Sequence, residues 1–217
     1  FTACLRFAGL ADYLTINISS PNTSGLRDLQ KSESLKEIIK SVRLGFTEVG
    51  FVKPIFVKLA PDLSNIDLIS AIEVMVNEGV DGIIISNTTL ARDNLKNKKN
   101  SEQLGGLSGS PLFRLSSEKL SEAYAHAKGQ ISFIGVGGVR SVTDAYIKIL
   151  LGADLVQLYS SLALSGPHIA NKINTSLAKL CLGEGLRDLN EVCGSFYSFD
   201  KARQYAEHAV RTHLKLE

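Results

Sequence analysis

The chain has 217 residues, 44% of them hydrophobic and 21% charged, a composition that excludes disordered and fibrous classes and allows a sizeable buried core. Lys and Arg total 24 against 22 for Asp and Glu, a net charge of +2, so no broad basic field invites nucleic acid and a small-molecule site is expected instead. No run reaches the roughly 18 to 20 continuous apolar residues of a transmembrane helix and the first residues carry no basic-then-apolar leader, so any contact with a membrane surface is expected to come from elsewhere.

The first predicted strand is YLTINIS (13–19), and the second is IFVKLA (55–60). Between the second and the third, Ser64 is placed to cap a helix on which Ile66, Ile69, Ile72 and Met75 recur at three-residue steps before Gly79 stops it; these four are expected to form its apolar face. The third strand is GIIISN (82–87), after which ARDNLKNKKNSEQL (91–104) is charged and aperiodic and predicts an exposed, mobile loop. FIGVGG (133–138) and LVQLYS (155–160) follow as fourth and fifth strands, and the tail is expected to be helical from about Asp200.

β-branched runs alternating with amphipathic stretches of helical length predict a parallel α/β fold. The junction into a strand repeats as Gly9 to Asp12, Gly79 to Asp81 and Gly152 to Asp154, which suggests a cyclic βα design. Pattern alone does not separate an open doubly wound sheet from a closed barrel, because both are built of right-handed βαβ units. The polar residues favour the barrel: four runs end in Asn17 to Thr23, Lys58, Ser86 to Thr88, and Tyr159 with Ser160, while the fifth ends in Gly137 and Gly138. A TIM (β/α)8 barrel carries its site at those C-terminal strand ends. Such a barrel has eight strands and typically ~250 residues, so residues 1–217 are expected to be the C-terminal part of one barrel domain, with about five βα units present and roughly three missing on the N-terminal side.

Cys4, Cys181 and Cys193 are odd in number and lack paired CxxC spacing, which predicts reduced thiols and no structural zinc. His126, His168, His208 and His213 form no clustered ligand pattern, and no metal is expected.

Six segments then appear in order: NISSPNTSGLRDLQ (17–30), VKLAPDLS (57–64), ISNTT (85–89), GGLSGSPL (105–112), IGVGGVRS (134–141) and GADLVQLYSSL (152–162). Taken together, from about Ala11 to Cys193, they resemble the dihydroorotate dehydrogenases. Order and spacing carry the specificity, because any one of these glycine-rich or polar strand ends is common among α/β proteins. The resemblance implies an FMN enzyme of pyrimidine (UMP) biosynthesis that oxidises (S)-dihydroorotate to orotate. Class 1 members have cysteine where this chain has Ser20; serine implies class 2, with a quinone such as ubiquinone as electron acceptor. Class 2 enzymes reach the quinone through an N-terminal helical region to which nothing in this chain corresponds. They sit peripherally on the mitochondrial inner membrane in eukaryotes and on the cytoplasmic membrane in bacteria.

The reaction needs a base on one face of the substrate and FMN on the other. Ser20 is the candidate base, a role that requires activation by hydrogen bonding or burial, and Thr23 is placed to help as a proton relay; read alone, Ser19 and Ser20 would simply shape a turn with Pro21. Asparagine amides match the planar urea edge of a pyrimidine. The resemblance assigns Asn17, Asn22, Asn87 and Thr88 to the substrate and adds a flavin contact for Asn17. Lys58 ends an otherwise apolar strand, where a bare ammonium is costly, so something anionic should face it: reduced FMN by resemblance, or a neighbouring carboxylate such as Asp62. Gly137 and Gly138, with Tyr159 and Ser160, match the barrel phosphate site, and Ser86 and Gly109 complete the FMN contacts by resemblance. The competing expectations are another FMN barrel oxidoreductase, either a class 1-like dihydroorotate or dihydropyrimidine enzyme or a dihydrouridine synthase, and a truncated, non-catalytic barrel.

Overall fold

A computed structural model describes residues 1–92, 95, 99, 101–127 and 129–214. Six of the fourteen residues of the stretch expected as a mobile loop, together with Lys128 and the last three residues, lie outside the described residues. Five strands, β1 (Leu14–Asn17), β2 (Ile55–Leu59), β3 (Gly82–Ile85), β4 (Ser132–Val136) and β5 (Leu155–Gln157), pair in parallel in the order β1-β2-β3-β4-β5. A doubly wound sheet reverses its strand order at a switch point. This sheet never does, so it is the barrel alternative that the structure supports.

The helices are α1 (Thr2–Phe7), α2 (Ser32–Glu48), α3 (Asn65–Asn77), α4 (Phe113–Ala127), α5 (Val142–Leu150), α6 (Ser160–Ser165), α7 (His168–Gly183) and α8 (Phe199–Leu214). Helices α2 to α5 make the four crossovers, and α8 packs on α5 and α7. The helical tail expected from about Asp200 is α8. Two caps follow their sequence signals: Ser64 Oγ accepts the Asp67 N–H (3.2 Å) and Ser141 Oγ accepts the Asp144 N–H (3.1 Å).

The apolar face expected for α3 needs correction. Ile66 is 81% exposed and Ile69 37% exposed, whereas Leu68, Ala71, Ile72 and Met75 are buried. A strict three-residue step drifts around a helix, and the nine residues from Ile66 to Met75 turn through roughly 900°, which puts the two on opposite sides. The i, i+3, i+4, i+7 set beginning at Leu68 keeps to one stripe.

Paired residues in a parallel register point to the same side of a sheet, and alternate residues to opposite sides. Ile16, Ile55, Val57, Leu59, Phe133 and Gly135 face the helices and are buried there with Leu35, Ile39, Ile72, Met75, Leu120 and Tyr146. The opposite face carries Asn17 paired with Lys58, and Val136 paired with Gln157. That face is the inner wall of the barrel section, and polar side chains gather at its C-terminal rim.

The repeated glycine-to-aspartate junctions have a structural reason. Asp81 Oδ2 accepts the N–H of Ile55 (2.8 Å), and Asp154 Oδ2 accepts the N–H of Phe133 (2.7 Å). Each carboxylate ties the start of one strand to the strand before it. Asp12 stands at the corresponding place before β1, which is an edge of the described sheet.

Candidate active site

The site is assembled from the segments that follow the five strands. Beyond β1, the buried Ser19 hydroxyl donates to Asn17 Oδ1 (3.2 Å). From beyond β3 the Asn87 amide donates to Asn17 Oδ1 (3.2 Å) and to Ser19 Oγ (3.1 Å). Asn87 Oδ1 in turn accepts the Thr88 N–H at 2.8 Å. Asn17, Asn87 and Thr88 therefore form one amide-rich edge, the chemistry a planar pyrimidine requires.

Ser20 lies three residues beyond Asn17, half-buried, and its Oγ accepts the backbone N–H of Asn22 at 3.2 Å. Asn22 and Thr23 are exposed. Among the described residues no hydrogen bond joins Thr23 to Ser20, so the relay expected between them is not formed in this structure. Asn22 stands beside the end of the long β3–α4 connection, since a Cβ added to Gly105 would lie 3.3 Å from its Oδ1. Gly106 is pressed still closer to the site: a Cβ there would fall 1.8 Å from Thr88 Oγ1, so only glycine lets this segment cover Thr88.

Arg27, to which the sequence assigned no role, and Asp62, expected there only as a possible partner of Lys58, hold these loops together. Arg27 donates from Nε to the Ser19 carbonyl (3.1 Å), from Nη2 to the Thr88 carbonyl (2.9 Å) and from Nη1 to Asp62 Oδ2 (2.8 Å). Asp62 also accepts the Thr89 hydroxyl and the Leu90 N–H (3.2 Å). One guanidinium thus spans the connections after β1, β2 and β3, its planar fork matching three acceptors at once. The signal was present as charged residues within strand-end motifs, Arg27 in NTSGLRD and Asp62 in APDLS.

The same contacts decide the environment of Lys58. Asp62, the carboxylate considered as its partner, is committed to Arg27, and among the described residues no ion pair involves Lys58. Burial pushes the Lys58 pKa down, as expected for an amine that has lost water without gaining an anion.

The remaining residues meet in a cavity of about 770 Å³. Lys58, Ser86, Asn87, Thr88, Gly109, Gly137, Gly138, Tyr159 and Ser160 all line it, and so does Gln157, a polar residue of β5 that the sequence reading passed over. Gly137 and Gly138 have φ of +113° and +75°, conformations that L side chains rarely adopt. A Cβ on Gly138 would lie 2.6 to 2.8 Å from Phe113 atoms, backbone included, so the turn rests directly on the start of α4. Gly109 (φ +75°) approaches Ser160, whose hydroxyl donates to Ser108 Oγ at 3.0 Å. Bare backbone, hydroxyls and one amine around a single cavity suit a phosphorylated, partly anionic ligand such as FMN. Ser20, Asn22 and Thr23 do not line the cavity; they stand in the neighbouring loop after β1.

The thiols are free. Burial, with Asp154 adding to it, pushes Cys193 up to about 11, and burial likewise raises Cys181, so neither is a thiolate nucleophile at neutral pH. Among the described residues no group of three or more His, Cys, Asp or Glu is arranged around a possible metal ion.

Comparison with known proteins shows the family and the fold. A family model described as dihydroorotate dehydrogenase matches residues 1–181. A dihydroorotate dehydrogenase (quinone) of Deinococcus radiodurans is 44% identical over 200 residues, covering 89% of this chain and 54% of the relative. One from Anaeromyxobacter dehalogenans is 42% identical over 196 residues, covering 90% and 54%. Among solved structures, the dihydroorotate dehydrogenase of Eimeria tenella in complex with ferulenol superposes with a TM-score of 0.84 at 31% identity, over 89% of this chain and 56% of that one. The chain therefore spans about half the length of the relatives it matches, and its five strands correspond to part of their barrel. On the motifs, the rim and these matches, the chain belongs to the dihydroorotate dehydrogenase family.

Proposed function

We propose that this protein takes part in the FMN-dependent oxidation of dihydroorotate to orotate with a quinone as electron acceptor. The observation that carries the reading is the convergence of Lys58, Asn87, Thr88, Gly137 and Gly138, from three strand ends, on one cavity in which, among the described residues, the amine is ion-paired with no carboxylate. FMN, when bound, supplies the two-electron acceptor for the hydride leaving the substrate. Asn17, Asn22, Asn87 and Thr88 bind and orient the pyrimidine through paired donors and acceptors. Ser20 Oγ takes the proton from the adjacent ring carbon, and Thr23, three residues on, is its expected relay. Lys58 provides the positive charge that favours an anionic ring beside it, and the Gly137–Gly138 turn with Ser160 holds the phosphate.

The quinone assignment rests on serine at position 20 and on relatives whose names carry that acceptor. No quinone-binding residue is assigned within residues 1–217. Among the described residues no helix is long and apolar enough to cross a membrane. The curated relatives compared are bacterial, so they give no support to the mitochondrial placement and favour peripheral association with a cytoplasmic membrane.

A second reading is a barrel section that keeps the fold without holding flavin. The flavin absorbance spectrum of the purified chain separates the two. For the catalytic reading the test is Ser20→Ala in the full-length protein. FMN stays bound, while stopped-flow reduction by dihydroorotate slows by about 10²- to 10⁴-fold. Bleaching at the unaltered rate removes Ser20 from the chemistry.

A further inference from the structure

Lys148, on α5, has no part in the chemistry above, yet it is fully buried. Its amine donates to Ser116 Oγ at 2.7 Å and lies 5.4 Å from the centre of the Phe113 ring. Among the described residues no carboxylate is ion-paired with it. The charge that acts on it from its own helix is Asp144, whose carboxylate accepts the Arg140 N–H (3.1 Å) and stands 3.7 Å from Arg140 Nε. The groups that meet it from other elements are uncharged: the Ser116 hydroxyl and Phe113 ring of α4, and Gly135 of β4, where an added Cβ would lie 3.2 Å from Lys148 Cδ. Burial pushes the Lys148 pKa well below its ordinary value. So costly a residue calls for a purpose other than packing.

The purpose lies in what the amine holds. Ser116 Oγ is 3.1 Å from the Gly137 carbonyl and 3.1 Å from that of Phe113. Accepting from Lys148 leaves its single proton to be given to these carbonyls. A chain of amine, hydroxyl and carbonyl therefore runs from α5 through α4 into the turn after β4. At that turn a Cβ on Gly137 would fall 2.7 Å from Ser116 Oγ, so the fit is close and leaves no room for a side chain. The Gly137 carbonyl is bonded toward α4, while the turn also lines the cavity. Carbonyl lone pairs repel an anion, so turning this one toward α4 favours a phosphate on the cavity side.

We propose that Lys148, acting through Ser116, is a positioning residue for a phosphate monoester at the Gly137–Gly138 turn. It holds the Gly137 carbonyl against α4 and places an amine behind the loop that the anion approaches. This rests on the flavin reading above.

The test compares FMN with riboflavin, which lacks the phosphate, by fluorescence titration of the full-length protein and of its Lys148→Met and Ser116→Ala variants. Expected in both variants is a roughly tenfold loss of FMN affinity with riboflavin affinity unchanged, since this hydrogen-bond relay serves only the phosphate. The thermal midpoint of Lys148→Met should not fall, because a methionine removes a buried amine and keeps its volume. An unchanged FMN-to-riboflavin ratio in a folded variant overturns the inference while leaving the flavin reading intact. A wild-type protein that binds neither flavin overturns both. Should Lys148→Met fail to fold, the ratio in Ser116→Ala decides by the same criterion.

Discussion

The loops after β1, β2 and β3 and the turns after β4 and β5 border one rim but are held by different forces. The first group depends on side chains: Arg27 reaches the carbonyls of Ser19 and Thr88, and Asp62 anchors it. This pair is partly solvent-exposed, with side-chain exposures of 21% and 26%, and Asn22 and Thr23 beside it are exposed. The second group depends on backbone: Gly137 and Gly138 sit in positive-φ conformations directly on α4, backed by a fully buried Ser116 and Lys148. A cofactor that stays through many turnovers suits a rigid cradle, whereas a substrate that enters and leaves suits loops tied by exchangeable polar contacts. The contrast teaches that the turn after β4, where the proposed reading puts the phosphate, is specified by steric necessity, and the loops after β1 to β3 by hydrogen bonding.

The strongest way to break this comparison is Gly138→Ala. The added methyl meets Phe113 backbone within 3 Å at a φ of +75°, which should cost about 4 kcal/mol of stability and abolish flavin retention. Chemical denaturation and the flavin content of the purified protein measure it; a stable, yellow variant would show that the turn is not rigid. Arg27→Ala should have a smaller and more local effect. Losing three hydrogen bonds at a partly exposed site costs about 2 kcal/mol, and the KM for dihydroorotate should rise while the FMN-to-riboflavin affinity ratio stays put. A change in that ratio would show the two halves to be coupled.

Lys58→Met gives the smallest shift, and its sign is opposite. Burial lowers the Lys58 pKa, so the unfolded chain keeps this proton to higher pH than the folded one. The folded state thus carries a penalty that is full below the lowered pKa, fades as pH rises toward the ordinary value of 10.5 and is gone above it. Without flavin, Lys58→Met should therefore be more stable by on the order of 1 kcal/mol at neutral pH and no more stable at strongly alkaline pH. Thermal melts across that range test the claim, and a destabilised variant at neutral pH would mean that Lys58 has an anionic partner within the protein.

Much of the architecture was legible from residue order. Short β-branched runs located all five strands, Ser64 marked a helix start by chemistry that acts over three residues, and the polar strand ends located the rim. The α3 face was misjudged because a three-residue step resembles the helical period over one turn and departs from it over three. Arg27 and Lys148 escaped notice for a different reason. Arg27 contacts residues 35 and 61 positions away, and Lys148 a serine 32 positions away. For Arg27 the strand-end motif was a signal without a partner attached, and nothing local to Lys148 distinguishes it from a solvated charge.

By itself, then, the sequence determined the elements, their parallel succession and which polar residues cap the strands, because those follow from local periodicity and short-range hydrogen bonding. Only the tertiary structure decided that Asp62 pairs with Arg27 rather than with Lys58, and that a buried amine stands behind the glycine turn. Those outcomes depend on which distant side chains exclude water from one another, and that is settled when the strands and helices pack.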